Sequence, residues 1–348
     1  MRLYPLAACA LALCVSTPAW AGVVIKPIYD GSVTSSAYSA QIQSAFNTVA
    51  NDYAKSFTSP VTVNVGVSWG KVGNTALPSN AVGASSNNLY GYFSLSQVKS
   101  YLSRASQSNP SDTSLAMALH YMPTSLTSGP TNFAITSANA KALGIISGTQ
   151  SSIDAYVGFA GSPSNYAFDP TLTAANVYDF QAVASHELAE VMGRISGVDG
   201  NTWRSLLDLY RYSAPGTLSY NYNQGSYFSI DGGTTRIANF NNSTSGGDRG
   251  DWLTLSTSRD VSDAFISTGQ RKNLTAVDLK ALDVLGWGGA NLGNSTASPQ
   301  TAAFTLVSGP NVGGAVPEPA SWALMLVGFG CVGGAMRSAK RGQKVILS

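Results

Sequence analysis

The sequence predicts an α/β (α+β) domain: a mixed sheet, one central helix and a C-terminal subdomain that is helical and irregular. Three observations carry this. Val61, Val63, Val65 and Val67 alternate along VTVNVGVSWG, the period of a strand. Ile42, Phe46, Val49 and Tyr53 recur at helical spacing. Beyond residue 216 both periods fade into a stretch rich in Gly, Ser, Asn and Asp.

Taken in order, GVVIKPIYDGSV opens with β-branched residues and reads as the first strand. A helix is expected over 37–57 and a half-buried strand over 61–70. Two helices follow, near 95–105 and 112–121. TNFAITSANAKALGI reads as a strand leading into a short helix, and SSIDAYVGFAG as another strand. DFQAVASHELAEVMGRI is the central helix, with Gly197 or Gly200 past its end. RSLLDLYRYSAPG is expected to stay helical until Pro215. YFSIDGG is a short strand within 216–270, and LTAVDLKALDVLGW is a final helix starting at Leu274 or Thr275. From Gly288 the chain turns small and polar, so 288–316 reads as a flexible linker. The main domain is therefore 22–287.

The two ends read as addresses rather than as fold. MRLYPLAACALALCVSTPAWA, residues 1–21, has a charged start, an apolar run and an A-x-A site, the pattern of a secretory signal peptide. Residues 317–344 begin with Pro317-Glu318-Pro319. They continue through an uncharged run, Ala320 to Met336, and close on Arg337, Lys340, Arg341 and Lys344. That run is just long enough for one span, with the basic cluster on the cytoplasmic side. This order resembles the PEP-CTERM sorting signal of Gram-negative bacteria. The resemblance implies transient anchoring in the inner membrane, cutting by an exosortase, and delivery to the cell surface or outside. A plain C-terminal anchor is the alternative.

One of the 20 basic residues lies in the leader and four in the tail, and one of the 18 acids lies in the tail. That leaves 15 against 17, a net charge near −2 without a basic patch, so no nucleic-acid partner is expected. Cys9, Cys14 and Cys331 all fall in the two signals, so no thiolate in the main domain can hold a metal. The chain has three glutamates, Glu187, Glu190 and Glu318. The main domain thus spends both of its glutamates beside His186, one of its two histidines.

On a helix, His186 and Glu190 share a face at i,i+4. Imidazole nitrogen and carboxylate oxygen are both zinc ligands. Glu187 is displaced by about 100° around the helix, the placement of a general base acting on water. HELAE followed by Met192-Gly193-Arg194 resembles the active helix of zinc metalloproteases with HExxH. The set SHELAEVMGR, LLDLYRYSAPG, YFSIDGG, GDRGDW and LDVLGW resembles, over 150–290, a family of PEP-CTERM-sorted zinc metalloproteases. Glu190 stands where that motif has its second histidine, and Ser196 where the extended motif has its third.

The resemblance implies a zincin-like fold around a central active-site helix, a Zn²⁺ cofactor and a protein or peptide substrate. Asp208 is the first choice for third metal ligand, 18 residues after Glu190, and Tyr212 is the candidate oxyanion donor. Asp199, Asp231 and Asp251 are the other acids in view. Arg194 is expected to hold a carboxylate near the helix end, and His120 to pack or cap. DGG and GGDRGD read first as turns and second as Ca²⁺ loops. Two functions stand: a secreted, surface-sorted zinc metalloprotease, or a catalytically inactive surface or matrix protein on the same scaffold.

Overall fold

The structure is a computed structural model that describes residues 22–289, apart from 78–80, 173, 201, 244 and 245. Residues 1–21, 290–316 and 317–344, on which the signal, linker and sorting readings fall, lie outside the described residues. Among the described residues no helix is long and apolar enough to cross a membrane.

In chain order the first strands are β1 Val24–Tyr29, β2 Thr62–Trp69, β3 Gly83–Asn87, β4 Leu89–Phe93, β5 Phe133–Thr136 and β6 Ala155–Phe159. The main sheet has the order β1-β2-β6-β3. β1, β2 and β6 run parallel, and β3 lies antiparallel on the edge. The fold is thus mixed α/β, in agreement with the α+β class. Neither β3 nor β4 is expected from the sequence, because GASSNNLYGYF carries little β-branched content.

The valines of β2 do alternate, yet Val63 through Ser68 are all buried. An inner parallel strand is covered on both faces. The Tyr156 ring fills the space beside Gly66, and Asn64 bonds the Gln150 and Ser152 carbonyls.

The first long helix, α1 Ser39–Ser56, buries Ile42, Phe46, Val49 and Tyr53, the predicted stripe. α2 Leu95–Ser108 starts at a Ser94/Gln97 capping box, and α3 Thr113–Tyr121 starts at Asp112. α4 Ser137–Ala142 follows β5 directly. α5 Phe180–Val191 is the central helix, capped by the Asp179 carboxylate on Ala182 N at 3.1 Å. Every residue of α5 except Gln181 is buried, the mark of a helix packed all round rather than amphipathic. Tyr53 of α1 donates to the Ser185 carbonyl at 2.8 Å and docks the two helices.

α5 stops earlier than Gly197. Gly193, at φ +98°, reverses the chain so that Gly193 N bonds Glu190 O and Arg194 N bonds Ala189 O. Such a left-handed stop favours glycine. The stretch after Trp203 also differs from expectation. It makes a 3-10 turn, Leu207–Tyr210, and then β7 Arg211–Ala214, which pairs with β8 Thr217–Leu218 and β9 Tyr227–Phe228. β10 Ala238–Asn239 completes that small sheet. The last helix, α6 Ala276–Leu282, starts at Thr275 and runs into a wide turn, Asp283–Trp287. Trp287 Nε1 donates to the Met192 carbonyl at 2.7 Å, closing the end of α5.

Candidate metal centre

Three elements meet around His186. The helix α5 presents His186 and Glu190 one turn apart, as the i,i+4 spacing requires. The edge strand β3 lies along one side. The loop 248–263, from the irregular C-terminal part, closes the other and brings in Asp251.

His186 Nδ1 lies 2.9 Å from the Val261 carbonyl. Only a protonated Nδ1 makes that bond, so the neutral ring turns the bare lone pair of Nε2 inward. Nε2 stands 3.6 Å from Glu190 Oε1 and 3.6 Å from Asp251 Oδ1. One donor atom from each of His186, Glu190 and Asp251 lies within 4.8 Å of the others, and all three residues are buried. Among the described residues no other cluster of this kind forms. A cation among donors so spaced sits roughly 2–2.5 Å from each, the length of a zinc bond to nitrogen or oxygen.

Each donor has an outer partner. Ser85 Oγ donates to Glu190 Oε2 at 2.8 Å, and Arg194 Nη1 to Asp251 Oδ1 at 3.0 Å. Arg194 is itself fixed by the Gly250 and Ser262 carbonyls and by the face of Trp252, 4.6 Å away. It holds a carboxylate near the helix end, and that carboxylate is Asp251. Outer bonds of this kind fix which atom faces a metal.

What lies inside the cluster is unsatisfied. His186 Nε2, Asp251 Oδ2 and both oxygens of Glu187 are buried without a hydrogen-bond partner. Buried polar atoms are nearly always bonded, so four orphans at one spot call for an explanation. With Glu187, Glu190 and Asp251 ionised, three negative charges face one guanidinium. The excess of two matches one divalent ion. Burial, with Glu190 and Asp251 adding to it, holds Glu187 well above the usual carboxylate range. Burial also pushes Asp251 up to about 6, against the pull of His186 and Arg194. A divalent cation would bring these carboxylates back down. The residues present therefore fit a metal ion, with His186, Glu190 and Asp251 as its ligands.

The sequence candidates divide accordingly. His186 and Glu190 converge. Asp208 does not join them and is corrected: it accepts from Ser196 Oγ at 2.7 Å, Gly197 N at 2.8 Å and Ser205 N at 2.8 Å, so both oxygens are spent on its own turn. Ser196, at the third-ligand position of the resembled motif, is spent on Asp208. Tyr212, the candidate oxyanion donor, stands on β7. Its ring packs beneath Gly233, and burial, then Asp231 and Tyr227, raise its hydroxyl to about 12. Asp231 accepts from Ser229, Thr235 N and Thr235 Oγ1, an ordinary turn rather than a cation loop. His120 is exposed and meets Tyr121 edge-on, 4.8 Å between rings. Asp251 was one of several acids in view, with nothing in its spacing to single it out. Ser85 was invisible, since an isolated serine in a weak strand signals nothing.

No protein-family model, curated protein or solved structure matches this chain.

Proposed function

We propose that this chain is a zinc-dependent peptidase of zincin type, with His186, Glu190 and Asp251 holding the metal and Glu187 as general base. The observation that carries the reading is the convergence of those three donors beside a glutamate whose two oxygens have no partner. When bound, zinc supplies Lewis acidity, polarising a carbonyl and lowering the pKa of water.

The remaining work falls to the chain's own residues. Glu187 takes the proton of the attacking water on a carboxylate oxygen and passes it to the leaving amine. Its burial suits the first half of this, because a carboxylate held above the usual range is the stronger base toward the water proton. Two anionic ligands around one imidazole leave less positive charge on the metal than neutral histidines would, so water is activated less strongly. Slow turnover is the expected result.

One observation favours a second reading. Exposure is 1% or less at His186, Glu187, Glu190 and Asp251. A closed site of that kind suits a structural cation in a non-enzymatic surface protein. Zinc content and hydrolysis of an unfolded protein separate the two. The peptidase reading requires about one zinc per chain, cleavage by the parent, and a Glu187→Gln variant that keeps metal and does not cleave. Zinc-loaded parent that cleaves nothing would leave the structural reading. Folded, metal-free protein would end the metal site in either form and leave an inactive surface or matrix protein.

The address at the two ends belongs to the same proposal. Residues 1–21 direct export, and 317–344 give transient anchoring in the inner membrane, exosortase cutting and release to the cell surface. Cell fractionation tests it: changing Pro317-Glu318-Pro319 should leave the chain in the membrane fraction. Unchanged surface release would refute the assignment.

A further inference from the structure

The edge strand β3 does more than close the sheet. Alternate residues of a strand share a face, so Gly83, Ser85 and Asn87 form one stripe. Its first two members meet α5. A methyl group built on Gly83 would stand 2.5 Å from Glu187 Oε1 and 2.7 Å from Val183 Cγ1, so only glycine leaves the Glu187 carboxylate its place. One pleat further on, Ser85 Oγ donates to Glu190 Oε2 at 2.8 Å. Asn87 Nδ2 donates to the same Ser85 Oγ at 3.1 Å.

The last bond gives the arrangement a direction. A hydroxyl has one proton. Asn87 donates into one serine lone pair, and the Glu190 carboxylate oxygen can only accept, so the serine proton points at Glu190. A donor fixed in this way satisfies Oε2 and leaves Oε1 to face His186 Nε2. Ser86, by contrast, points to the other face and pairs with Tyr156 across the sheet.

We infer that Ser85, oriented by Asn87, is a positioning residue that presents Glu190 to the metal, and that Gly83 is the residue that admits the Glu187 base. The inference rests on the metal-centre reading above. It adds that G-x-S-x-N on the edge strand is the second half of the motif begun by HELAE.

The test measures zinc affinity by competition with a chromogenic chelator, together with thermal unfolding of the metal-free protein. Ser85→Ala is expected to bind zinc about 10- to 100-fold more weakly than the parent, the range for loss of an outer partner. Ser85→Thr, which keeps the hydroxyl, should recover most of that loss. Ser86→Ala should bind like the parent. A Ser85→Ala protein with parental affinity would overturn the inference, whereas a parent that binds no zinc would overturn the metal centre itself. If Ser85→Ala does not fold, Asn87→Ala carries the same comparison with a smaller expected loss, and parental affinity there refutes it equally. Gly83→Ala should keep zinc but lose cleavage of an unfolded protein; parental cleavage would remove Gly83 from the assignment.

Discussion

Asp251→Asn separates the metal reading from every alternative placement of the third ligand. The change keeps size and keeps an oxygen for Arg194 Nη1 at 3.0 Å, while removing the charge that faces His186 Nε2. Loss of an outer partner alone costs about 10- to 100-fold in metal affinity, so loss of an anionic ligand should cost roughly 100-fold or more. Zinc at 100 times its dissociation constant stabilises the parent by about 2.7 kcal/mol. For a domain of this size each kcal/mol moves the melting temperature by roughly 2–4 °C, so chelation should lower the parent by roughly 5–11 °C. At the same zinc concentration the variant sits near its own dissociation constant. There the stabilisation is only about 0.4 kcal/mol, and chelation should move it by about 1 °C. The assay is thermal unfolding with and without chelator, with zinc content measured beside it. Equal chelator shifts in parent and variant would remove Asp251 from the site.

Other perturbations sort site from scaffold. Asp208→Ala strips the partner from Ser196 Oγ, Gly197 N and Ser205 N, all buried. It should cost about 2–4 kcal/mol in denaturant unfolding while leaving zinc stoichiometry unchanged; lost zinc with intact stability would restore it as a ligand. Gly193→Ala forces a side chain onto φ +98° and to 2.9 Å from Asn139 Oδ1, and should destabilise by about 1–3 kcal/mol by the same measurement. Lys141→Met leaves Asp154, bonded at 2.6 Å and fully buried, without its cation, at a cost of about 3–5 kcal/mol. Burial, with Asp278 and Asp263, holds the Asp260 carboxyl well above the usual range. A carboxyl that binds its proton more tightly when folded loses stability as pH rises from about 4 through its folded value. Asp260→Asn should flatten that fall and melt higher than the parent near pH 8; a parental slope in thermal scans across pH would refute this.

Much of the fold was legible where one period dominated. The stripe Ile42, Phe46, Val49, Tyr53 needs only one apolar face, and α1 has it. The valines of β2 marked a strand, but alternation cannot tell a solvated face from one covered by Tyr156. The end of α5 was misplaced because Gly193, Gly197 and Gly200 all qualify as stops. Only the tertiary space beside Asn139 and the Trp287 bond to Met192 select the first. The stretch 204–214 carries helix formers, yet Asp208 draws Ser196, Gly197 and Ser205 onto itself and ends the helix as a 3-10 turn. Local propensity lost there to a buried side-chain network.

The site was half legible for a related reason. His186 and Glu190 are joined by helical geometry, which sequence spacing encodes directly. Asp251 is joined to them through Arg194, 57 residues away in sequence and on no shared element. The information was nonetheless present, one step removed. A guanidinium at the end of a wholly buried helix has to find an anion, because an unpaired buried charge is untenable. The sequence called only for a carboxylate near the helix end, and Glu190, one turn back, is the nearest in the chain. The Gly193 reversal instead turns Arg194 toward Gly250, Asp251 and Ser262, and Ser85 takes the free oxygen of Glu190. The two carboxylates thereby acquire separate donors: Glu190 is held on Oε2 and turns Oε1 to the common point, while Asp251 meets it through Oδ1, the oxygen that Arg194 also holds. A metal site with a glutamate in place of histidine needs such a division, since two anions so close would otherwise compete for the same cationic side chain.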